Sequence, residues 1–595
     1  MDSTTVTGLQ VSMLRRAWVL LLLVAGIILS LIVPPGQSPD EHSHLLRAYW
    51  LSKGVITLNT PQGSSSGYLT DDGLNAYLRG YTFYGRRPGT PIDLGQVREE
   101  SHLQWTGTRH FVDDPAVGYY FPLVYTPQAV ALAIGERLHL DLDTSYRLAR
   151  LCALLSVVAI ILAALRTYPM NAFVAAVLLL PMCLFQDISA SQDGVATALC
   201  VLGIALFMRG MDAARTFTPC HMAMLCLSIF LVATSRNNML PMVLMPFAVA
   251  LARRSGKGLA GAGVTLAACL CWTVIALKTT ADLRVGRAYP TSFFIHQYFA
   301  HPGNFLQLLS NTLTNTDLAH AYEASFVGVF GWLEIQLPRS FYTFAMDMLL
   351  ALGVLSLSVR RIRRDYATRL VLVLGAFSAM LLIFFALATT WTQWGAPTIA
   401  GVQGRYFTCP MLMLGYALSG HASSAQPGLR KRLAGGALAA FLLATSYVVP
   451  KTLIDWYYID GPQRLPPPAL STLAKPFAAS ASVSGPLDRQ TVSVHLQPDS
   501  RDAHLPGNSF IALLMPTGTL YLHQNDAWLP FDASQPLAYS SGMLETLDAR
   551  LTVDRDLTDF RGARLLLGYG RGSTPTKSFN DMLAQGRYAQ VYEVQ

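Results

Sequence analysis

The sequence predicts a mainly α-helical protein: a polytopic transmembrane helix bundle of about eleven spans, followed by a C-terminal extracytoplasmic β domain. Only 13% of the residues are charged and 52% are hydrophobic, whereas a soluble domain carries about 25% charged residues. Apolar runs long enough to cross a bilayer recur along most of the chain. Near the C-terminus they give way to alternating apolar and polar residues, the pattern of half-buried strands.

The first apolar run, 17–33, follows Arg15 and Arg16 and is ended by Pro34 and Pro35. No small-residue cleavage site follows it, so we interpret the run as a membrane helix rather than a signal peptide. Ten further spans are predicted at 145–165, 171–187, 194–209, 219–234, 238–252, 258–279, 341–359, 370–388, 405–420 and 433–450.

Basic residues cluster in short links between these runs, and the links contain few acidic residues: 15–16, 209–215, 253–257, 360–369 and 430–432. Counting alternate spans from a cytoplasmic N-terminus puts every link on the cytoplasmic side, as the positive-inside rule requires. A nucleic-acid-binding protein would instead need one continuous basic surface, so nucleic acid is not an expected partner. The expected partner of the spans is the lipid bilayer.

The same alternation predicts two large outer loops, 34–144 and 280–340, and an outer C-terminal tail. A linker rich in Pro, Ala and Ser (461–486) separates the membrane domain, 1–460, from a β-rich domain at 487–595. Alternating segments at 491–497, 509–515, 518–523 and 563–570 predict antiparallel strands. The eight cysteines lie in or beside the apolar runs, which argues against a disulfide framework.

The motif S-P-D-E-H-S-H at 38–44 follows the first span directly. Ser38 and Glu41 fit a capping box with Pro39 as the first helical residue, which predicts a helix with Asp40, His44 and Arg47 on one face. A carboxylate, an imidazole and a guanidinium would then lie together at the membrane surface, as an active site needs. The alternatives are a purely structural helix start and a divalent metal on Asp40 and His44. No third ligand can be assigned, so no cofactor is certain.

Other polar residues lie where spans meet the outer surface. The glycine-rich stretch 328–338 carries Trp332 and Glu334 and is followed by Arg339, and the stretch 401–407 carries Gln403 and Arg405. Arg236 and Asp193 lie in tight outer turns. Ionisable residues this close to hydrocarbon are costly and often functional. Snorkelling arginines, polar turns and, for Trp332, an aromatic belt at the interface are the structural alternatives.

Four motifs in this order resemble a bacterial family of predicted membrane proteins described only as a domain of unknown function. They are Pro39-Asp40-Glu41-His42-Ser43-His44, then Pro181, Gln186, Ser191 and Asp193, then 330–338, then 403–407. The resemblance covers about residues 10–450. That family looks similar to the GT-C glycosyltransferases, which include protein mannosyltransferases and the aminoarabinose transferases of lipid A. The resemblance implies a GT-C-like fold for 1–460.

The GT-C resemblance also implies a mechanism. Asp40 would be the general base, assisted by Glu41, and would deprotonate an acceptor hydroxyl that attacks the anomeric carbon with inversion. Arg405 would hold the donor phosphate, with Arg339 or Arg236 as alternates. Supporting or substrate-binding roles fall to His44, Arg47, Asp193, Glu334, Trp332 and Gln403. The predicted helix places His44, rather than Glu41, beside Asp40, so the role of the second acid stays open.

The predicted function is transfer of a sugar from a polyprenyl-phosphate donor to a cell-envelope glycan or lipid, on the outer face of a bacterial inner membrane. Two alternatives remain open. One is a transporter or flippase of a lipid-linked sugar, although the chain has no evident internal repeat. The other is a non-catalytic envelope polysaccharide assembly protein that uses the β domain for binding.

Overall fold

Helices form most of the described part of the first 460 residues of this computed structural model, and strands are the main secondary structure of the last 120. The structure describes residues 20–594 except 21, 83–93, 284–288, 419–427, 460–476, 486–489, 500–501, 516–518, 526, 533–535, 554–559 and 585–586. Arg15, Arg16 and most of the predicted linker therefore lie outside the described residues. The chain divides into two compact units, Met1–Gln463 and Arg464–Gln595.

The first half of the helical unit contains α1 Leu22–Ile32, α2 Glu41–Ser52, α3 Asp72–Thr82, α4 Leu94–Ser101, α5 Thr126–Arg137, α6 Leu142–Thr167, α7 Ala172–Leu178, α8 Pro181–Asp187, α9 Asp193–Met211, α10 Pro219–Ser235 and α11 Leu244–Ala252. The second half contains α12 Gly256–Thr279, α13 Thr291–Ala300, α14 Pro302–Thr314, α15 Thr316–Val327, α16 Arg339–Ser356, α17 Val359–Arg364, α18 Tyr366–Thr390, α19 Thr408–Leu418 and α20 Gly428–Ile454. This unit also contains a two-stranded antiparallel sheet, β1 Gly67–Asp71 with β2 Arg109–Asp113, and a small hairpin, β3 Val329–Phe330 with β4 Ile335–Gln336.

Within the described residues, five helices are long and apolar enough to cross a membrane: α6, α9, α12, α18 and the continuous helix Gly428–Ile459. Shorter apolar helices occupy Leu22–Ile32, Pro219–Ser235 and Asn237–Ala252. The predicted span 171–187 is split into α7 and α8, because Pro181 begins α8 and proline does not continue a preceding helix. The structure thus supports a membrane bundle with several apolar helices, and the count of eleven stays a prediction.

Helix α9 forms the centre of this unit and packs against both α6 and α10. Nearly all of its residues are buried, including the apolar run from Val195 to Met208. Polar caps set the neighbouring helix starts: the Asp141 side chain accepts from the Thr144 amide at 2.6 Å, and Asn171 accepts from Val174. The predicted outer loop 34–144 is largely helical, and its α2 and α5 pack against each other.

The second unit is built from antiparallel strands: β5 Ala478–Ser484, β6 Gln490–Gln497, β7 Pro506–Leu514, β8 Leu520–Gln524, β9 Ala527–Pro530, β10 Ser540–Met543, β11 Leu547–Val553, β12 Arg564–Arg571 and β13 Tyr588–Glu593. One sheet has the order β13-β12-β7-β8-β9, with β10 also on β7, and the other has the order β11-β6-β5. Helix α21, Pro575–Ala584, packs on β12. Strand β5 lies inside the segment predicted as linker, whose small residues and serines alternate in burial as an edge strand.

Candidate active site

Asp40 lies immediately before α2, in left-handed backbone conformation with φ 59° and ψ 13°. Asp and Asn adopt this conformation more readily than other residues with a Cβ. The predicted helix start at Pro39 is therefore wrong, because the backbone of Asp40 interrupts the helical path and α2 begins at Glu41. Half of the capping box survives, since the Ser38 amide donates to Glu41 Oε2 at 3.2 Å.

Arg405 connects the motif at 38–44 to α9. Its Nη2 donates to Asp40 Oδ2 at 2.7 Å, and its Nη1 lies 3.5 Å from Asp193 Oδ2. The Arg405 side chain is 5% exposed, whereas the Asp40 side chain is 54% exposed. One carboxylate of the cluster is thus open to an incoming molecule while the guanidinium that holds it is buried.

Asp193 lies at the first turn of α9 and gathers three donors. Arg236 Nη2 reaches its Oδ1 at 3.0 Å, Gln186 Nε2 donates to its Oδ2 at 3.0 Å, and Arg405 completes the set. Two arginines and two aspartates separated widely in sequence therefore form one ionic cluster, which is buried except for Asp40. We call Asp40, Asp193, Arg236 and Arg405 the ion cluster.

A glycine fixes the position of Arg405. Residues 404–407 form a short 3-10 helix in front of α19, and the Gly404 amide donates to Ser325 Oγ at 2.7 Å. A Cβ on Gly404 would lie 2.0 Å from the Tyr322 carbonyl oxygen and 2.2 Å from the Phe326 amide nitrogen. Only glycine allows this approach of the two backbones, which sets Arg405 beside α15.

The electrostatics keep Asp40 ionised and His44 neutral near pH 7. Burial alone would raise the pKa of the Asp40 carboxyl, but the positive charge of Arg405 and its hydrogen bond act in the opposite direction, and the pKa lies below its usual value. Burial lowers the pKa of His44 despite the attraction of Asp193 and Asp40. The His44 Nδ1 lies 2.7 Å from the Tyr125 hydroxyl.

Two tyrosines border the cluster and were not predicted from the sequence. The Tyr406 ring centroid is 5.5 Å from the Arg405 guanidinium carbon, and the Tyr120 ring stacks on His44 at 5.9 Å. Tyr406 stands in the same short motif as Arg405, so that motif was the available signal. The sequence contained no such signal for Tyr120, because it lies in a long loop among other aromatic residues.

Glu41 has different surroundings from its neighbour Asp40. It is fully buried, and Arg150 donates to both of its oxygens, from Nε to Oε1 at 3.0 Å and from Nη2 to Oε2 at 2.9 Å. The Ala190 amide donates to Oε1 at 2.7 Å. Glu41 thereby ties α2 to α6 and to the turn before α9. Arg150 itself was overlooked, although a charge within a predicted span is a signal of function or of a buried pair.

Arg47 lies on the predicted face of α2, but its guanidinium serves the loop that follows. It is fully buried and donates to the carbonyl oxygens of Ile56 at 2.6 Å, and of Val55 and Tyr120 at 3.4 Å each. Within the described residues, no ion pair joins Arg47 to the ion cluster. The structure gives it a role in holding Tyr120 beside His44.

The hairpin β3–β4 packs next to the start of α2. Trp332 stacks on His42 with ring centroids 5.1 Å apart, and its Nε1 donates to the Gly36 carbonyl oxygen at 3.3 Å. Glu334 in the same turn is half-buried, and burial raises its pKa to about 7. Arg339 is exposed at the first residue of α16, and Gln403 is half-buried directly before the 3-10 helix of Arg405.

The described residues contain no group of three or more His, Cys, Asp or Glu side chains that could hold a metal ion. Asp40 and His44 influence each other electrostatically, yet the carboxylate is engaged by Arg405. The cluster as it stands presents one accessible carboxylate to a polar hydrogen, with two buried guanidinium groups behind it.

Comparison with known proteins gives one match. The sequence model of the family described as "Predicted membrane protein (DUF2142)" matches residues 22–414. The matched region contains all four residues of the ion cluster. Neither a curated protein nor a solved structure matches the chain significantly.

Proposed function

The chain belongs to the predicted membrane protein family DUF2142, and on that premise we propose that it is a membrane glycosyltransferase. Its donor is a sugar carried on polyprenyl phosphate, and its acceptor is a hydroxyl of a cell-envelope glycan or lipid. The single observation that carries the proposal is the ion pair of the half-exposed Asp40 with the buried Arg405, 2.7 Å apart.

In the proposed step, Asp40 takes the proton of the acceptor hydroxyl while that oxygen forms a bond to the anomeric carbon. The bond between that carbon and the phosphate oxygen breaks, and its electron pair leaves with polyprenyl phosphate. A positioned base of this kind typically contributes about 10²–10⁴-fold to the rate. Arg405 stabilises the charge that develops on the departing phosphate.

The pairing of Asp40 with Arg405 suits this sequence of events. While Arg405 holds Asp40, the pKa of the carboxyl is low and it accepts protons poorly. A bound phosphate shares the guanidinium, which weakens that hold and makes the carboxylate a better base. Proton transfer is thereby linked to donor binding, and Asp193 with Arg236 keeps Arg405 in place.

This proposal assigns the phosphate to Arg405 with Arg236 behind it, and not to Arg339, which lies exposed at the start of α16. Glu41 becomes a positioning residue because both of its oxygens are occupied by Arg150. Trp332, Glu334 and Gln403 remain candidates for contact with substrate, on the basis of their half-buried positions. His44 and Arg47 support the wall formed by Tyr120 and Tyr125.

The proposed setting is a bacterial inner membrane, crossed eleven times, with a cytoplasmic N-terminus and a periplasmic β domain. The placement of the basic links supports this orientation. Nucleotide sugars are absent outside the cytoplasm, which favours a lipid-linked donor. Fusions of alkaline phosphatase after residue 595 should be active in this orientation, and fusions within 209–215 should be inactive.

A second candidate is a transporter of the same lipid-linked sugar. The break between α7 and α8, which lies one short helix before the polar turn that leads to Asp193, favours it, because transporters bind substrates at interrupted helices. Transport leaves the sugar on its carrier, whereas a transferase makes a new glycosidic bond. The covalent product distinguishes the two.

The test is mass spectrometry of envelope glycans and glycolipids from a deletion strain complemented with the wild type, Arg405→Lys or the matched control Arg339→Lys. We expect one sugar mass to disappear in the deletion and to return with the wild type and the control. Lysine keeps the charge but cannot reach Asp40 and Asp193 together as the planar guanidinium does, so Arg405→Lys should not restore the product. Full restoration by Arg405→Lys, or loss of lipid-linked sugar export without loss of a covalent product, contradicts the proposal.

A further inference from the structure

Helices α13 and α14 belong to a segment with an unusual composition for a loop between membrane spans. Residues 288–316 contain no Asp, Glu, Lys or Arg, and their only titratable side chains besides Tyr289 and Tyr298 are His296 and His301. A water-exposed connection of this length would normally carry charges to keep it soluble. The absence of charge suggests that part of this segment meets something other than water.

Helix α14 divides into three faces. Phe305, Leu308 and Thr312 are buried against the protein, while Leu306 and Leu313, seven residues apart, are 61% and 55% exposed. A separate exposed face is polar and carries Asn304, Gln307, Asn311 and Thr314, and Ser310 lies at the border between this face and the two leucines. A helix with one face on protein, one apolar face open and one polar face open matches the surroundings at a membrane interface.

Helix α13 extends the open apolar face. Ile295 and Phe299, four residues apart and therefore on one side of the helix, are 38% and 76% exposed. Phe294 and Tyr298 point inward instead and are buried. Exposing a whole phenylalanine ring to water forgoes about 1.5–3 kcal/mol of burial energy. Ile295, Phe299, Leu306 and Leu313 thus leave four apolar side chains exposed on two consecutive helices.

The depth of this surface is set by α18, a membrane-spanning helix. Phe385, near the C-terminal end of α18, contacts Tyr298, Phe299 and Phe305 with ring centroids 6.4, 6.0 and 5.3 Å apart. Trp391 and Trp394 follow directly after α18 and are 49% and 39% exposed. Tryptophans at the end of a span mark the headgroup level, so α13 and α14 lie at that level.

We propose that the surface formed by Ile295, Phe299, Leu306 and Leu313 lies in the bilayer interface and contacts lipid acyl chains. Its occupant is the bilayer itself, because the surface continues from a spanning helix, lacks charge and is bounded by polar residues on one side. Phe407, in the 3-10 helix of Arg405, packs against the same apolar cluster as the buried residues of α13 and α14, next to Tyr322 of α15 and Phe384 of α18. The interfacial helices would hold that arginine near the level of lipid phosphates. The inference requires no transferase activity.

The experiment uses the full chain in nanodiscs of phosphatidylethanolamine and phosphatidylglycerol. The photoreactive residue benzoylphenylalanine replaces Phe299 or Leu306, or Gln307 as the matched control on the polar face of α14. Phe377, 60% exposed in the middle of α18, is the reference for lipid contact. Phe299, Leu306 and Gln307 lie on exposed faces outside the spans, so their replacement removes little packing. After irradiation, protein–lipid adducts are counted by mass spectrometry.

We expect adducts at 299 and 306 to form with yields similar to those at 377 and several-fold higher than those at 307. Equal yields at 299, 306 and 307, all far below 377, would show a water-facing surface and overturn the proposal. Adducts at 299 and 306 with a second copy of the chain would overturn it too, in favour of a self-association surface. Because the readout is contact alone, a failure here is separate from any failure of the proposed transferase function.

Discussion

The backbone conformation of Asp40 determines which residue its side chain contacts. Its backbone stands in left-handed conformation, so its side chain leaves the helix it precedes and meets Arg405 instead. Glu41, one residue later, is inside the helix and meets Arg150. The two adjacent acids thus have different surroundings: Asp40 is half-exposed and paired with Arg405, and Glu41 is buried and paired with Arg150.

Replacement of Glu41 by Gln should destabilise the protein rather than act on the reaction itself. It leaves the Arg150 guanidinium buried without its anion, and breaking a buried pair in this way costs about 3–5 kcal/mol. We expect a lower thermal unfolding midpoint in detergent and reduced membrane abundance. The double variant Glu41→Gln with Arg150→Met should recover part of the loss. A fully stable but inactive Glu41→Gln variant would instead give Glu41 a direct catalytic role.

Glu334 should make stability depend on pH in a particular direction. Burial raises its folded-state pKa from 4.5 to about 7, so between these values the folded state binds the proton more tightly than the unfolded state does. The contribution is therefore fully present below pH 4.5 and lost as the pH rises through 7. The thermal midpoint of the wild type should fall across this window more than that of Glu334→Gln, and identical pH profiles would contradict the shift.

At the scale of elements, the ion cluster depends on four short pieces of chain meeting at one place. The residue before α2, the first turn of α9, the end of α10 and the 3-10 helix before α19 each supply one charged side chain. None of these pieces fixes the cluster alone. Their packing does, above all the contact of the 3-10 helix with α15.

Gly404→Ala tests that contact. The added Cβ would collide with backbone atoms of Tyr322 and Phe326, and overpacking of this kind typically costs about 1–3 kcal/mol. We expect Arg405 to move and product formation to fall sharply. Gly435→Ala is the control, because a Cβ there meets nothing within 4 Å. Equal product from both variants in a transfer assay would show that the close approach does not position Arg405.

The sequence predicted which residues form this site better than it predicted which of them contact each other. Asp40, Asp193, Arg236 and Arg405 were all singled out, because charges at the ends of apolar runs are easy to recognise. The pair Arg236 with Asp193 and the pair Arg405 with Asp40 were not foreseen, since they join residues 43 and 365 positions apart. The helix start was misplaced because a capping box can be read from residue types, while a left-handed residue inside it cannot.

At the scale of the molecule, the described chain combines a helical membrane unit with a separate β unit. Hydropathy predicted both, since long apolar runs and period-two alternation are strong signals. Strands β5, β9, β10, β11 and β13 were not predicted. β9 and β10 are only four residues long and mostly exposed, whereas β11 alternates between apolar and polar residues, and that alternation was the available signal. The split of 171–187 into two helices was also missed, although Pro181 was the signal for it.

The two units should be separable. Residues 1–463 and 464–595 each have their own core, and a domain with its own core can in principle fold alone. We expect the fragment 464–595 to unfold cooperatively on heating, followed by circular dichroism. The fragment 1–463 should still insert in the membrane at near wild-type abundance. A molten 464–595 fragment, or degradation of 1–463, would show that the units depend on each other.

The central claim is that Asp40 is the base of a sugar transfer. The most direct measurement is transfer by the purified protein in liposomes that contain lipid extract from the deletion strain, comparing wild type, Asp40→Asn and Asp317→Asn. Asparagine keeps the shape and tolerates the left-handed backbone, while Asp317 is an exposed acid at the start of α15. We expect the transfer rate to fall by at least about 10²-fold in Asp40→Asn, with an unchanged unfolding temperature, and not to fall in Asp317→Asn. Transfer by Asp40→Asn at the wild-type rate would contradict it.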